Sequence, residues 1–121
     1  AKGKYVSPVP IEARLASNPI VEQVCVMGTG LRAPVGVVVL SPGAAELSED
    51  DVAARLNDTL LKTNAELEGH ERLAAVAVCR EQWTIENDCL TPTMKTKRNV
   101  LEQRYLDQLK DTADQPVRWL A

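Results

Sequence analysis

The sequence predicts an α+β domain: a small, mostly antiparallel sheet of about three main strands, flanked by helices. Three observations point there. The chain has 121 residues, 45% hydrophobic and 26% charged, which suits one domain, residues 1–121, with a core of its own. Apolar runs rich in β-branched residues, each short enough for a strand, stand at 20–27, 35–40 and 73–79. Stretches with apolar residues three or four apart precede, separate and follow these runs.

The elements follow in order. Ser7-Pro8 opens a first helix, because proline is tolerated at the first helical position, where its missing N–H would be unpaired anyway. Ile11 and Leu15 share one face of it, and Asn18-Pro19 ends it. Ile20 to Met27 reads as a strand, Gly28 to Pro34 as a turn, and Val35 to Leu40 as a second strand, apolar on both faces and so central. Ser48 with Asp51 resembles a capping box ahead of a helix carrying Val52, Leu56 and Leu60. After a charged connector, 66–72, comes a third strand from Leu73 to Cys79. Trp83-Thr84-Ile85 is a candidate short fourth strand, turning at Glu86-Asn87-Asp88. A last helix is expected from about Lys97 to Asp111, with Leu101, Tyr105 and Leu109 on one stripe.

Composition excludes several function classes. Seventeen acids against 14 bases give a net charge of −3, which argues against nucleic acid as a partner. Only Tyr5, Trp83, Tyr105 and Trp119 are aromatic, too few for a base-stacking platform. The longest apolar run, Val35 to Leu40, is far below the roughly 20 residues of a transmembrane helix. Cys25, Cys79, Cys89 and His70 offer no zinc spacing, so no metal ligands are assigned. Cys25 and Cys79 sit in apolar runs as small buried hydrophobes. A Cys89–His70 nucleophile–base pair is set aside because His70 lies in the charged stretch 66–72. Unpaired cysteines fit a reducing, cytoplasmic compartment. The opening Lys2-Gly3-Lys4-Tyr5 reads as the interior of a longer protein.

One stretch breaks local rules. In Thr91-Pro92-Thr93-Met94-Lys95-Thr96-Lys97-Arg98, three cations fall within four residues at the start of a helix. That end already carries the positive pole of the helix dipole, so each cation should cost a few tenths of a kcal/mol, up to about one. Two readings remain open: a solvated basic face, or a site for a phosphate or carboxylate. Neither GxxxxGK[ST] nor GxGxxG occurs, so the chain has no phosphate cradle of its own.

Two segments together resemble a known family. Lys2 to Glu12, with Gly3, Tyr5, Val6, Pro8, Ile11 and Glu12, is similar to the stretch that follows the hinge in adenylate-forming enzymes. Trp83 to Arg98 is similar to the closing motif of that family in its long-chain acyl-CoA synthetase branch. The resemblance covers nearly the whole chain. It implies the mobile C-terminal lid domain of an AMP-forming acyl-CoA synthetase, partnered by an N-terminal domain of the same protein. Such an enzyme joins a carboxylic acid, here a long-chain fatty acid, to AMP from ATP and then exchanges AMP for CoA. Mg²⁺ would be bound outside this chain. By motif position Lys95 is the catalytic lysine, with Lys97 as the alternative. Gly3, Lys4, Thr93 and Arg98 are the implied cofactor-binding residues.

Two departures from the family pattern stand out: Met94 where many members have glycine, and Asp88 where the long-chain branch usually has glycine. Two other functions compete. One is an acyl-AMP ligase or reductase domain that hands the acyl group to a carrier protein. The other is an interaction or regulatory domain without chemistry.

Overall fold

The computed structural model describes residues 6–28, 30–110 and 115–120. The elements run α1 (Pro8–Ala16), β1 (Val21–Met27), β2 (Val35–Leu40), α2 (Glu49–Ala65), β3 (Ala75–Cys79), α3 (Arg98–Lys110) and β4 (Val117–Trp119), with short 3₁₀ turns at Pro42–Glu46 and Gly69–Glu71. The four strands form one sheet in the order β1-β2-β3-β4. The α+β class stands.

The expected pairing does not. Only β1 and β2 are antiparallel; β2/β3 and β3/β4 are parallel. The reason is topological. The predicted turn joins β1 to β2, with the Leu31 N–H on the Gly28 carbonyl at 2.9 Å, whereas the 17-residue α2 carries the chain back before β3 begins. A strand that follows such a crossover runs parallel to the one before it. The Gly28-Thr29-Gly30 signal belongs to that first turn, although Thr29 lies outside the described residues.

Alternation along the strands gives the sheet two buried faces. Cys25, Met27, Val37, Val39, Ala77 and Cys79 meet Leu101, Tyr105 and Leu109 of α3 on one side. Val26, Val38, Val76 and Val78 meet Ile11 and Leu15 of α1 and Val52, Leu56 and Leu60 of α2 on the other. β2 and β3 are therefore apolar throughout, as expected for strands covered on both faces. Gly36 lets α1 approach closely: a Cβ there would stand 2.5 Å from Leu15 Cδ1.

The caps agree in part with the sequence reading. Ser48 Oγ accepts from the Asp51 N–H at 3.1 Å, while Ser7 makes no side-chain cap. The reciprocal capping box forms between Glu68 and Glu71 instead. Residues 83–85 are not a strand, and the fourth strand is the three-residue β4. At Trp83 the Gln23 side-chain amide takes the place of a strand partner. Gln23 Oε1 accepts from the Trp83 N–H at 2.9 Å, and Gln23 Nε2 donates to its carbonyl at 2.8 Å. With its backbone satisfied, the indole fills the core at 1% exposure.

Candidate functional site

The stretch 87–98 folds into a compact loop that leads into α3. Asn87 starts it: its Oδ1 accepts from the N–H of Thr84 at 2.9 Å and of Cys89 at 3.2 Å. Cys89 and Leu90 are buried and anchor one arm. The second arm returns antiparallel, with a Leu90–Thr96 bridge and the Lys97 N–H on the Cys89 carbonyl at 2.8 Å.

The tip is a tight turn. The Met94 N–H reaches the Thr91 carbonyl and the Thr91 N–H reaches the Lys95 carbonyl, both at 2.8 Å. Thr91 Oγ1 accepts from the Lys95 N–H at 3.1 Å and lies 3.0 Å from Thr93 Oγ1. A turn of this kind closes through one residue with positive φ, normally glycine. Here that residue is Met94, with φ 67° and 63% exposure. Asp88, at φ 68°, is the other non-glycine residue with positive φ among those described. The two departures from the family's glycines therefore fall where the backbone itself favours glycine.

The three cations have different surroundings. Lys97 Nζ is paired with Asp88 Oδ1. The hydrogen bond from Lys97, and then its charge, hold the Asp88 carboxyl below the usual aspartate range. Arg98, the first residue of α3, turns inward. Its Nη1 lies 2.7 Å from Glu12 Oε2, 2.6 Å from the Val26 carbonyl and 3.3 Å from Cys25 Sγ. Lys95 is exposed, and its ammonium has no hydrogen-bond or ion-pair partner among the described residues. The local excess of charge is thus offset at two positions, by Asp88 of the same loop and by Glu12 of α1, and left open at one. A plain solvated basic face does not describe this arrangement.

The remaining candidates scatter. Thr93 lies at the exposed tip, two residues from Lys95. Gly3 and Lys4 lie outside the described residues. Cys89 is fully buried and burial pushes its thiol up, the opposite of an activated nucleophile. His70 is 15% exposed, more buried than its polar neighbours suggest, with Nδ1 3.7 Å from Glu68 Oε2. Glu68, His70 and Glu71 are close enough to share a metal ion, but they belong to the Gly69–Glu71 turn and not to the closing loop. Among the described residues no helix is long and apolar enough to cross a membrane.

Sequence reasoning missed Glu12 and Asp88 as partners of the loop's cations. Both stood inside the quoted motifs, but nothing in their spacing reveals an ion pair across 86 positions.

Comparison with known proteins places this geometry. The chain is 33% identical to mouse long-chain-fatty-acid–CoA ligase 5, an alignment that covers 91% of this chain and 19% of the relative. It is 27% identical to human long-chain-fatty-acid–CoA ligase 6, over 92% of this chain and 18% of that one. It therefore spans about a fifth of the length of the curated relatives it matches. Among solved structures it resembles the A domain of carboxylic acid reductase from Segniliparus rugosus in complex with AMP and a co-purified carboxylic acid. The TM-score is 0.75 at 30% identity, covering 89% of this chain and 18% of that chain. The A-PCP didomain of carboxylic acid reductase from the same organism, in complex with AMP, gives 0.74 at 29% identity, over 89% of this chain and 16% of that chain. Residues 1–115 match the family described as the AMP-binding enzyme C-terminal domain, and the chain belongs to that family.

Proposed function

We propose that this chain is the moving C-terminal domain of an AMP-forming long-chain acyl-CoA synthetase. An N-terminal domain of the same protein would hold ATP, the fatty acid and Mg²⁺. In the adenylating arrangement the 91–95 turn enters that domain. Lys95 there places its ammonium between the attacking carboxylate and the α-phosphate, where negative charge grows in the transition state. Thr93 would add a hydroxyl donor beside it. In the thioester-forming arrangement Gly3 and Lys4 would line the path of CoA. The reducing compartment in which the three free thiols persist would be the cytoplasm.

One observation carries the choice of Lys95 over Lys97: Lys97 is already paired with Asp88, while the Lys95 ammonium is exposed and uncompensated. A charge meant for another domain's oxygens should be free of its own domain's acids. The test is Lys95→Ala in the full-length protein. Fatty-acid-dependent ATP–pyrophosphate exchange should fall about 10²–10³-fold, as for other preorganised donors. Thioester formation from pre-made acyl-adenylate should survive. Intact exchange contradicts the proposal.

A second acceptor is favoured by one observation, the likeness to the A-PCP didomain of a carboxylic acid reductase. In that reading the acyl group passes to a carrier protein rather than to free CoA. Supplying the full-length protein with CoA or with a phosphopantetheinylated carrier separates the two.

A further inference from the structure

The tie between Glu12 and Arg98 has a specific place in the fold. β1 is an edge strand, so the backbone groups of Val26 that face away from β2 have no neighbouring strand to pair with. Glu12 Oε2 accepts the Val26 N–H at 2.8 Å. Arg98 Nη1 donates to the Val26 carbonyl at 2.6 Å. The same Glu12 oxygen and the same Arg98 nitrogen meet each other at 2.7 Å. The four groups close a ring around the edge of the sheet. It joins α1, packed on one face, to the first residue of α3, packed on the other. The Glu12 side chain is 14% exposed and that of Arg98 32%.

Arg98 is also where the closing loop ends. Lys95 lies three residues before it, so at most about 11 Å separates the two Cα atoms. The loop's second arm, Lys95–Lys97, is tied to the first by the Thr91 N–H on the Lys95 carbonyl and the Lys97 N–H on the Cys89 carbonyl, so it moves as one piece with the loop, and its foot runs directly into Arg98 at the start of α3. Removing the Glu12 charge leaves Arg98 half-buried without its carboxylate, a costly state that the first turn of α3 would relieve by moving outward. The loop foot would move with it, and the reach of Lys95 would change.

We propose that Glu12 and Arg98 are a positioning pair: a carboxylate on α1 fixes the root of the Lys95 loop, so the adenylating step depends on a residue that touches no substrate. Arg98 then serves the loop from within and is not itself a contact for cofactor. This rests on the reading of Lys95 given above, and the experiment separates the two.

The test uses the full-length protein with Glu12→Gln, Arg98→Lys and, in parallel, Lys95→Ala. Arg98→Lys keeps the charge but loses the guanidinium whose Nη1 reaches both the Glu12 carboxylate and the Val26 carbonyl. Both positioning variants should lower kcat for fatty-acid-dependent ATP–pyrophosphate exchange by about 10- to 100-fold, the scale of an ångström-sized misplacement. The KM for ATP and the rate of thioester formation from pre-made acyl-adenylate should each stay within about twofold. A tie that is merely structural would lower both half-reactions together. That parallel loss overturns the proposal, as does unchanged exchange, or failure of both variants to fold. If Lys95→Ala retains exchange, the reading of Lys95 itself has failed. If Lys95→Ala loses exchange while Glu12→Gln and Arg98→Lys keep it, only the positioning pair has failed.

Discussion

The carboxylate of Asp88 is closed on the ammonium of Lys97, nine positions further along the chain, and this pair sets Lys97 apart from Lys95, the lysine that motif position favours. Lys97 lies at the foot of the loop with its charge satisfied. Lys95 lies at the outer arm with its charge open to whatever docks there. Local charge compensation, and not distance along the chain, distinguishes the structural lysine from the presented one.

Met94 closes the tip in a left-handed conformation that costs a side-chain-bearing residue roughly 1–2 kcal/mol. Met94→Gly removes that cost, and the exposed thioether gives up little packing. We expect a gain of about 0.5–1 kcal/mol by denaturant unfolding of the isolated domain, after the entropy glycine loses on folding is subtracted. A destabilised variant would mean that the Met94 side chain has a contact worth more than the strain.

Gly36 lies beneath Leu15, where a Cβ would stand 2.5 Å from a methyl group that is itself buried. Gly36→Ala should therefore overpack the α1–sheet contact and cost about 1–3 kcal/mol. A thermal melt of the variant checks this. A melting temperature equal to that of the unsubstituted domain would show that Leu15 can move aside freely.

Burial, opposed by the nearby Arg98 charge, pushes the Cys25 thiol from 9.0 up to about 12. Between these values the unfolded chain releases a proton that the folded chain keeps, so stability should fall as pH rises from 9 toward 12. Unfolding midpoints measured near neutral pH and at about pH 10.5 should differ more for the unsubstituted domain than for Cys25→Ala. Equal pH slopes for the two would show that Cys25 ionises as readily folded as unfolded.

Much of this was legible in the sequence, and the exceptions share a cause. Helices α1, α2 and α3 showed in the spacing of Ile11/Leu15, Val52/Leu56/Leu60 and Leu101/Tyr105/Leu109, because one buried face imposes a period. Strands β1 to β3 showed as β-branched runs. The parallel pairing did not, because a strand's residues do not state its direction; only the crossover by α2 does. Trp83 to Ile85, a candidate strand by residue type, is none, because the side chain of Gln23, 60 positions away, takes the place of a strand partner for the Trp83 backbone. The loop's cations were conspicuous as a broken electrostatic rule. Their partners were not: Glu12 lies 86 positions away, and Asp88 meets Lys97 only because the loop folds back on itself.

The central claim is that Lys95, and not Lys97, carries charge to the adenylating centre. The most direct measurement compares Lys95→Ala and Lys97→Ala of the full-length protein in single-turnover formation of acyl-adenylate from ATP and a long-chain fatty acid. Lys95→Ala should lose about 10²–10³ in that rate. Lys97→Ala, which breaks only the pair with Asp88, should lose less than about tenfold. The reverse order, with Lys97→Ala nearly inactive and Lys95→Ala near normal, would contradict the account.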